Sequence, residues 1–277
     1  ALNRLHLFFA LGAWLGPSAI SIMLLSGVGW QSFFVLLALC YVVFILIWAA
    51  MPSQLFELAY ISSTNQHPDE GHSEDKKASL KDLLMAPGIL TLGLIMLIYV
   101  GVEVSITGWI TTFFIRSFNS TAAFGASVVS LFWAGLTLGR LVCSVISQRI
   151  EYLHLMLLLC GGMAVTIALG AVAPTPMLAS LLFSLAGFFC SGIFPTIVAC
   201  GARVYPKWVS PLAGYFSTVA GIGAMFMPWL LGMVADSVGL GIGMLILSVL
   251  MAVASALAYA LRRDRNFSVA TESGSFG

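Results

Sequence analysis

The sequence predicts an all-α membrane protein, built as a polytopic bundle of eight transmembrane helices. Its 277 residues are 60% hydrophobic and only 8% charged, whereas soluble domains carry about 25% charged residues. The chain also contains apolar runs of about 21 to 28 residues, each long enough to span a bilayer as a helix. These runs cover residues 5–25, 30–51, 88–115, 123–146, 152–173, 177–204, 211–235 and 240–261.

The connections between the runs predict how the helices are grouped. Most are short turns of Gly, Pro, Asn or Ser, which make neighbouring helices antiparallel. The exception is 52–85, which holds nine of the 23 charged residues and predicts a solvated linker. The expected organisation is two helices in 1–51, the linker 52–85, a six-helix unit in 86–265 and a disordered tail in 266–277.

The basic residues predict the orientation. If the eight runs alternate, ten Lys and Arg residues fall on one side, only Arg116 falls on the other, and Arg140 lies within a helix. Positive charge favours the cytoplasmic side, so we expect both chain ends and the linker there, in a multi-pass protein of the plasma (inner) membrane with lipid around it. A net charge of +1 without a basic face gives no support for nucleic-acid binding.

A carboxylate near the middle of the third run is the first candidate for function. Placing Glu103 there costs about 2.5 to 3.5 kcal/mol on insertion scales. Tyr99 and Thr107 share its helical face, where they could bind a hydroxylated solute while Glu103 binds the solute or a proton. Trp109, off this face, could stack on a sugar or simply pack between helices. A structural Glu103, bonded to a neighbouring helix, is the alternative.

The fourth run carries a second polar face, which includes Trp133, Thr137 and Arg140. Arg140 lies nine residues before Arg149, or about 13 Å of helix, which is too deep for an ordinary surface charge. It could pair with Glu103, contact a substrate or stabilise a cytoplasmic gate.

Small residues and prolines indicate gates and hinges. Gly135 and Gly139 form a small-xxx-small pair that lets another helix approach closely, and Pro195 predicts a kink, because it leaves a backbone carbonyl without its donor. The full set of gate or hinge candidates is Gly16, Pro17, Gly135, Gly139, Arg149, Pro195 and Pro228.

Four motifs in order resemble the fucose permease-like sugar:proton symporters of the major facilitator superfamily. They begin at Leu2-Asn3-Arg4, Tyr99-Val100-Gly101-Val102-Glu103, Gly135-Leu136-Thr137-Leu138-Gly139-Arg140 and Ser191-Gly192-Ile193-Phe194-Pro195-Thr196. The resemblance implies helices 5–12 of a twelve-helix fold, so that 1–51 holds the last two helices of the amino-terminal half and the first four helices are missing. It also implies a small-molecule solute and a coupling ion, expected to be a proton, as partners of a monomer.

Nothing in the sequence indicates an enzyme. It has no Ser/His/Asp set and no phosphate-binding glycine loop with its Lys, and its five cysteines lie in apolar runs without metal-ligand spacing. We therefore expect no cofactor and no metal, and interpret the cysteines as packing residues. The favoured hypothesis is a proton-coupled sugar transporter. The alternatives are a drug or amphiphile exporter of the same fold, suggested by Gly12-x-x-x-Gly16-Pro17, and a membrane sensor or scaffold that does not transport.

Overall fold

The structure is a computed structural model that describes residues 2–50, 83, 85–264 and 267. Within these residues the regular elements are all helical. They are α1 Leu2–Leu25, α2 Trp30–Ala50, α3 Ile89–Phe118, α4 Ala122–Ile146, α5 Tyr152–Ala171, α6 Pro176–Cys190, α7 Ile193–Val204, a 3-10 turn at Pro206–Trp208, α8 Val209–Val238 and α9 Leu240–Arg263.

The predicted fold class is confirmed. In the described part of the chain, seven helical segments are long and apolar enough to cross a membrane, and α1, with 24 residues, lies where the first run was predicted. The sixth run forms two helices, because α6 ends at Cys190 and α7 begins at Ile193. The interruption is a two-residue turn at Ser191-Gly192, a few residues before Pro195, from which the kink is predicted.

Residues with special backbone preferences set the helix ends. Thr121 and Thr175 accept hydrogen bonds from the N–H groups of Phe124 and Leu178, at 3.2 and 3.3 Å, and so cap α4 and α6. Asn119 ends α3 in the left-handed region, at φ 52°, which Asn tolerates better than most residues. These caps explain why such short turns separate α3 from α4 and α5 from α6.

Helix α3 lies at the centre of the bundle. It packs chiefly against α8, and also against α9 and α4, while α4 packs against α6 and α1, and α5 packs against α9 and α6. In contrast, α2 packs chiefly against α1, and none of the residues from Gln31 to Ala50 is buried. Most of the core therefore belongs to the helices that follow the predicted linker.

Glycines set the distance between α4 and α6. A Cβ on Gly135 would lie 2.1 Å from the carbonyl oxygen of Ser184, and one on Gly139 would lie 2.3 Å from that of Phe188. From the other side, a Cβ on Gly187 would lie 2.1 Å from the carbonyl oxygen of Phe132. The predicted close approach at Gly135 and Gly139 is confirmed, since no side chain fits at these three positions without moving the helices apart.

The predicted linker and tail lie largely outside the described residues. Leu83 and Phe267, which belong to these two segments, are almost fully buried, with 2% and 0% exposure. The Phe267 ring lies so close to Gly88 that a Cβ there would overlap it. Leu83 and Phe267 therefore belong to the hydrophobic core of the bundle.

The α4–α6 contact gives a stability prediction. We expect Gly135→Ala to destabilise the protein by about 1 to 3 kcal/mol, because the added methyl group overpacks the contact. Thermal unfolding in detergent measures the effect. Gly221→Ala is the control, since its Cβ would meet nothing within 4 Å; an equal melting temperature for the two variants would contradict the prediction.

Candidate functional site

Glu103 lies in a small polar cluster between α3 and the end of α6. Tyr99 is one helical turn away on the same face and only 2% exposed. The Tyr99 hydroxyl and the Cys190 thiol are both close enough to the Glu103 carboxyl to interact with it by hydrogen bonding. The structure thus brings Tyr99 and Glu103 together as the spacing predicts, and adds Cys190.

Thr107 shares this face, but its hydroxyl is directed to its own helix. It donates to the backbone carbonyl oxygens of Glu103, at 3.0 Å, and of Val104, at 3.2 Å. In this conformation Thr107 therefore supports the backbone beneath Glu103.

Sequence reasoning missed Cys190, because its position within an apolar run predicts a cysteine that only packs. The signal that could have identified it is the Ser191-Gly192 break that follows directly. In transporters, helices that are interrupted within the membrane often form the binding site. Residues next to such an interruption are therefore candidates for the site. Cys190 is the last residue of α6 and is fully buried.

Arg140 lies between this cluster and a cavity. Its guanidinium is near enough to act on Glu103 through charge, yet the two side chains form no ion pair; the described residues contain one, between Arg262 and Glu151 at 3.2 Å. One guanidinium nitrogen of Arg140, Nη1, is buried and has no hydrogen-bond partner within the described chain. The predicted pairing with Glu103 is therefore not formed in this conformation.

The cavity beside Arg140 has a volume of about 620 Å³, within the range of about 300 to 1,000 Å³ typical of ligand sites. One wall is the polar face of α4 from Thr137 to Ser147, which corresponds to about 15 Å of helix. The break between α6 and α7 and the first residue of α5, Tyr152, line the rest. The space therefore runs from the interior of the bundle to the end where α4 stops.

The cavity lining joins the two motifs that the sequence singled out on α4 and around Pro195. It includes Thr137 and Arg140 from the first motif and Ser191, Pro195 and Thr196 from the second. Trp133 does not belong to the lining; its ring packs edge-on against Phe132, with 6.1 Å between centroids. Of the three residues predicted on the second polar face, Thr137 and Arg140 therefore line the cavity and Trp133 does not.

Trp109 joins α3 to α8. Its indole Nε1 donates to the carbonyl oxygen of Pro228 at 3.0 Å, and the ring lies against Gly232, where a Cβ would approach it to 2.9 Å. Trp109 and Pro228, predicted separately as a ligand contact and a hinge, therefore meet at one contact in this conformation.

The remaining gate candidates lie apart from the cavity. Gly16 and Pro17 are inside α1, and a Cβ on Gly16 would meet nothing within 4 Å in the described chain. Arg149 is exposed in the turn after α4. At the same end, the Tyr205 hydroxyl donates to the carbonyl oxygen of Pro87 at 2.8 Å, a link between the end of α7 and the approach to α3 that sequence reasoning missed.

Comparison with known proteins identifies relatives for this arrangement. The family model described as Major Facilitator Superfamily matches residues 1–209 and 127–276. A glucose/mannose transporter of Bacillus subtilis is 24% identical over 135 residues, which cover 49% of this chain and 33% of the relative. The bypass of stop codon protein 6 of Saccharomyces cerevisiae is 24% identical over 188 residues, or 62% of this chain and 37% of the relative.

Solved structures show the same fold. The Escherichia coli fucose:proton symporter superposes with a TM-score of 0.60 at 18% identity, covering 69% of this chain and 47% of that one. A structure of a Major Facilitator Superfamily transporter in the outward conformation gives a TM-score of 0.61, with the same identity and coverage. The chain spans about a third to a half of the length of these relatives.

The cavity predicts which cysteine reacts with small reagents. Cys143 lines the cavity, whereas Cys160 is fully buried in α5. We expect methyl methanethiosulfonate to modify Cys143 at least about tenfold faster than Cys160, because a thiol must be reached before it reacts. Peptide mass mapping of the protein in detergent measures both rates. Equal rates would contradict the prediction that reagents reach Cys143 through the cavity.

The contact between Trp109 and Pro228 predicts a modest stability effect. Trp109→Phe keeps an aromatic ring but removes the indole N–H, so we expect a loss of about 0.5 to 1.5 kcal/mol, typical for one hydrogen bond. Thermal unfolding measures it. Trp229→Phe serves as the control, because Trp229 is 58% exposed; a Trp109→Phe protein as stable as this control would show that the bond adds nothing.

Proposed function

We propose that this chain, which belongs to the major facilitator superfamily, acts in a proton-coupled secondary transporter of a sugar or a similar small polar solute. The observation that carries the proposal is Arg140, which lines a cavity of ligand size and also acts through charge on Glu103. Solute binding and proton binding thereby affect the same side chain.

Glu103 is the proposed proton site. When its carboxyl is ionised it attracts the Arg140 guanidinium, and when it is protonated this attraction is lost. Inside a protein, two charges interact far more strongly than in water. The protonation state of Glu103 therefore controls how freely Arg140 can bind a solute in the cavity.

The cavity lining suits a hydroxylated solute. Thr137 donates its hydroxyl to the carbonyl oxygen of Trp133 at 2.9 Å, which leaves its oxygen free to accept from a ligand. Ser191 and Thr196 add hydroxyls from the opposite wall. The names of two relatives, a glucose/mannose transporter and a fucose:proton symporter, support the sugar class.

The exporter alternative finds less support in this cavity. A site for lipophilic compounds should be dominated by aromatic and methionine side chains. The residues that line the cavity include Tyr152 and Phe194, but no methionine. Most of the wall is apolar by area, but six of its residues carry a hydroxyl and one is an arginine, so a polar solute would find hydrogen-bonding partners there.

Alternating access is the proposed mechanism, in which one helical bundle rocks against the other around the site. The α6–α7 break and the glycine contact between α4 and α6 support it, because both lie beside the cavity and allow small changes in helix position. Gate and hinge roles for Gly16, Pro17, Gly135, Gly139, Arg149, Pro195 and Pro228 belong to this proposal. So do a monomeric state, a plasma (inner) membrane location and cytoplasmic chain ends.

The coupling role of Glu103 is tested by transport. We expect Glu103→Gln to reduce proton-gradient-driven accumulation of sugar in proteoliposomes at least about tenfold while sugar counterflow persists, because the amide cannot exchange a proton. Asp236→Asn is the control, since Asp236 is exposed near the end of α8. Equal accumulation by the Glu103→Gln and native proteins would rule out the coupling role.

A further inference from the structure

We infer that the cavity binds an anionic group, so that the solute is a hydroxylated carboxylate such as a uronic or aldonic acid. This inference rests on the proposed function and narrows its substrate class from sugars in general to sugar acids. It follows from the charges around the cavity and from the hydrogen-bonding groups that remain open there.

Arg140 supplies the main attraction. A guanidinium is always charged and carries five N–H donors in a planar arrangement that matches a carboxylate. In the described chain Nη1 of Arg140 is buried without a partner, a costly situation for a charged donor. Nη1 itself has no accessible surface, so a ligand carboxylate in the cavity would accept from the N–H groups of Arg140 that line it, and would balance the charge.

No acidic side chain competes from the cavity wall. Among the residues that line the cavity, Arg140 is the charged one and no Asp or Glu is present. Glu151 lies next to Tyr152, but its carboxylate pairs with Arg262 at 3.2 Å. Arg203 adds positive charge nearby, 5.8 Å from the centre of the Tyr152 ring. The local field therefore favours an anion.

Glu103 makes the binding conditional. It acts on Arg140 through charge from outside the cavity lining, so an ionised Glu103 and a bound carboxylate attract the same guanidinium. Arg140 therefore prefers a ligand carboxylate most when Glu103 is protonated. A neutral sugar would not compete with Glu103 in this way, because it brings no charge.

The test compares two sugars that differ at one group. Glucuronate carries a carboxylate where glucose carries a hydroxymethyl group, and the ring hydroxyls match. Equilibrium binding of each radiolabelled sugar is measured on the whole chain in nanodiscs of phosphatidylcholine. We expect glucuronate to bind at least about tenfold more tightly than glucose, as one charge-assisted hydrogen bond allows.

Variants of Arg140 test whether this residue causes the preference for glucuronate over glucose. We expect Arg140→Gln to remove it and Arg140→Lys to keep only part of it, because Lys retains the charge but lacks the planar donors. Arg116→Gln, at an exposed site, should bind like the native protein. Thermal unfolding of each variant, with Arg140→Lys as the milder change, separates loss of binding from loss of folding.

Further outcomes would overturn the inference. These are equal binding of the two sugars, no binding of either, or an unchanged preference in a folded Arg140→Gln protein. Competition by phosphatidylglycerol, but not by inorganic phosphate, would assign the cavity to a lipid headgroup and also overturn it. Glucose binding without preference would leave the proposed transport function standing, whereas a glucuronate preference without proton-driven accumulation would remove transport and keep the site.

Discussion

Two opposite charges inside an apolar bundle, Glu103 on α3 and Arg140 on α4, are the constraint on which the rest of the site depends. They act on each other through charge but form no ion pair. Each charge is expensive within a membrane unless it is paired or bound. In the proposed function, this separation leaves the guanidinium able to interact with either the carboxylate or a ligand, so that binding at one of them would affect the other.

Close packing brings these charges together. Gly135 and Gly139 let α4 approach α6 until backbone atoms meet, so that Arg140, the next residue, lies near the end of α6. At this end of α6, the Cys190 thiol interacts with Glu103. The next two residues, Ser191 and Gly192, line the cavity. Small side chains on one helix thus create the polar site between three helices.

The cavity and the Glu103 cluster are two regions joined by one residue. Tyr99, Glu103 and Cys190 interact on one side, while Thr137, Ser191 and Thr196 line the space on the other. This division suits the proposed coupling, in which a proton and a solute would occupy different places and share Arg140. The positive character of the cavity follows from that residue, the one charged side chain among those that line it.

Much of this protein follows from its sequence alone. Long apolar runs predict spanning helices because a bilayer requires each backbone polar group to be paired within its own segment. Helical periodicity predicts that Tyr99 shares a face with Glu103, and small-xxx-small spacing predicts the close approach at Gly135 and Gly139. These features depend on residues near one another in the chain, so local physical rules are sufficient to predict them.

Only the tertiary structure decided which side chains meet across helices. No spacing rule relates Cys190 to Glu103, Trp109 to Pro228 or Arg140 to the α6–α7 break, because these partners are far apart in the chain. Thr107 was predicted correctly on the polar face, yet its hydroxyl bonds to its own backbone. Periodicity determines the direction of a side chain, whereas helix packing determines what that side chain contacts.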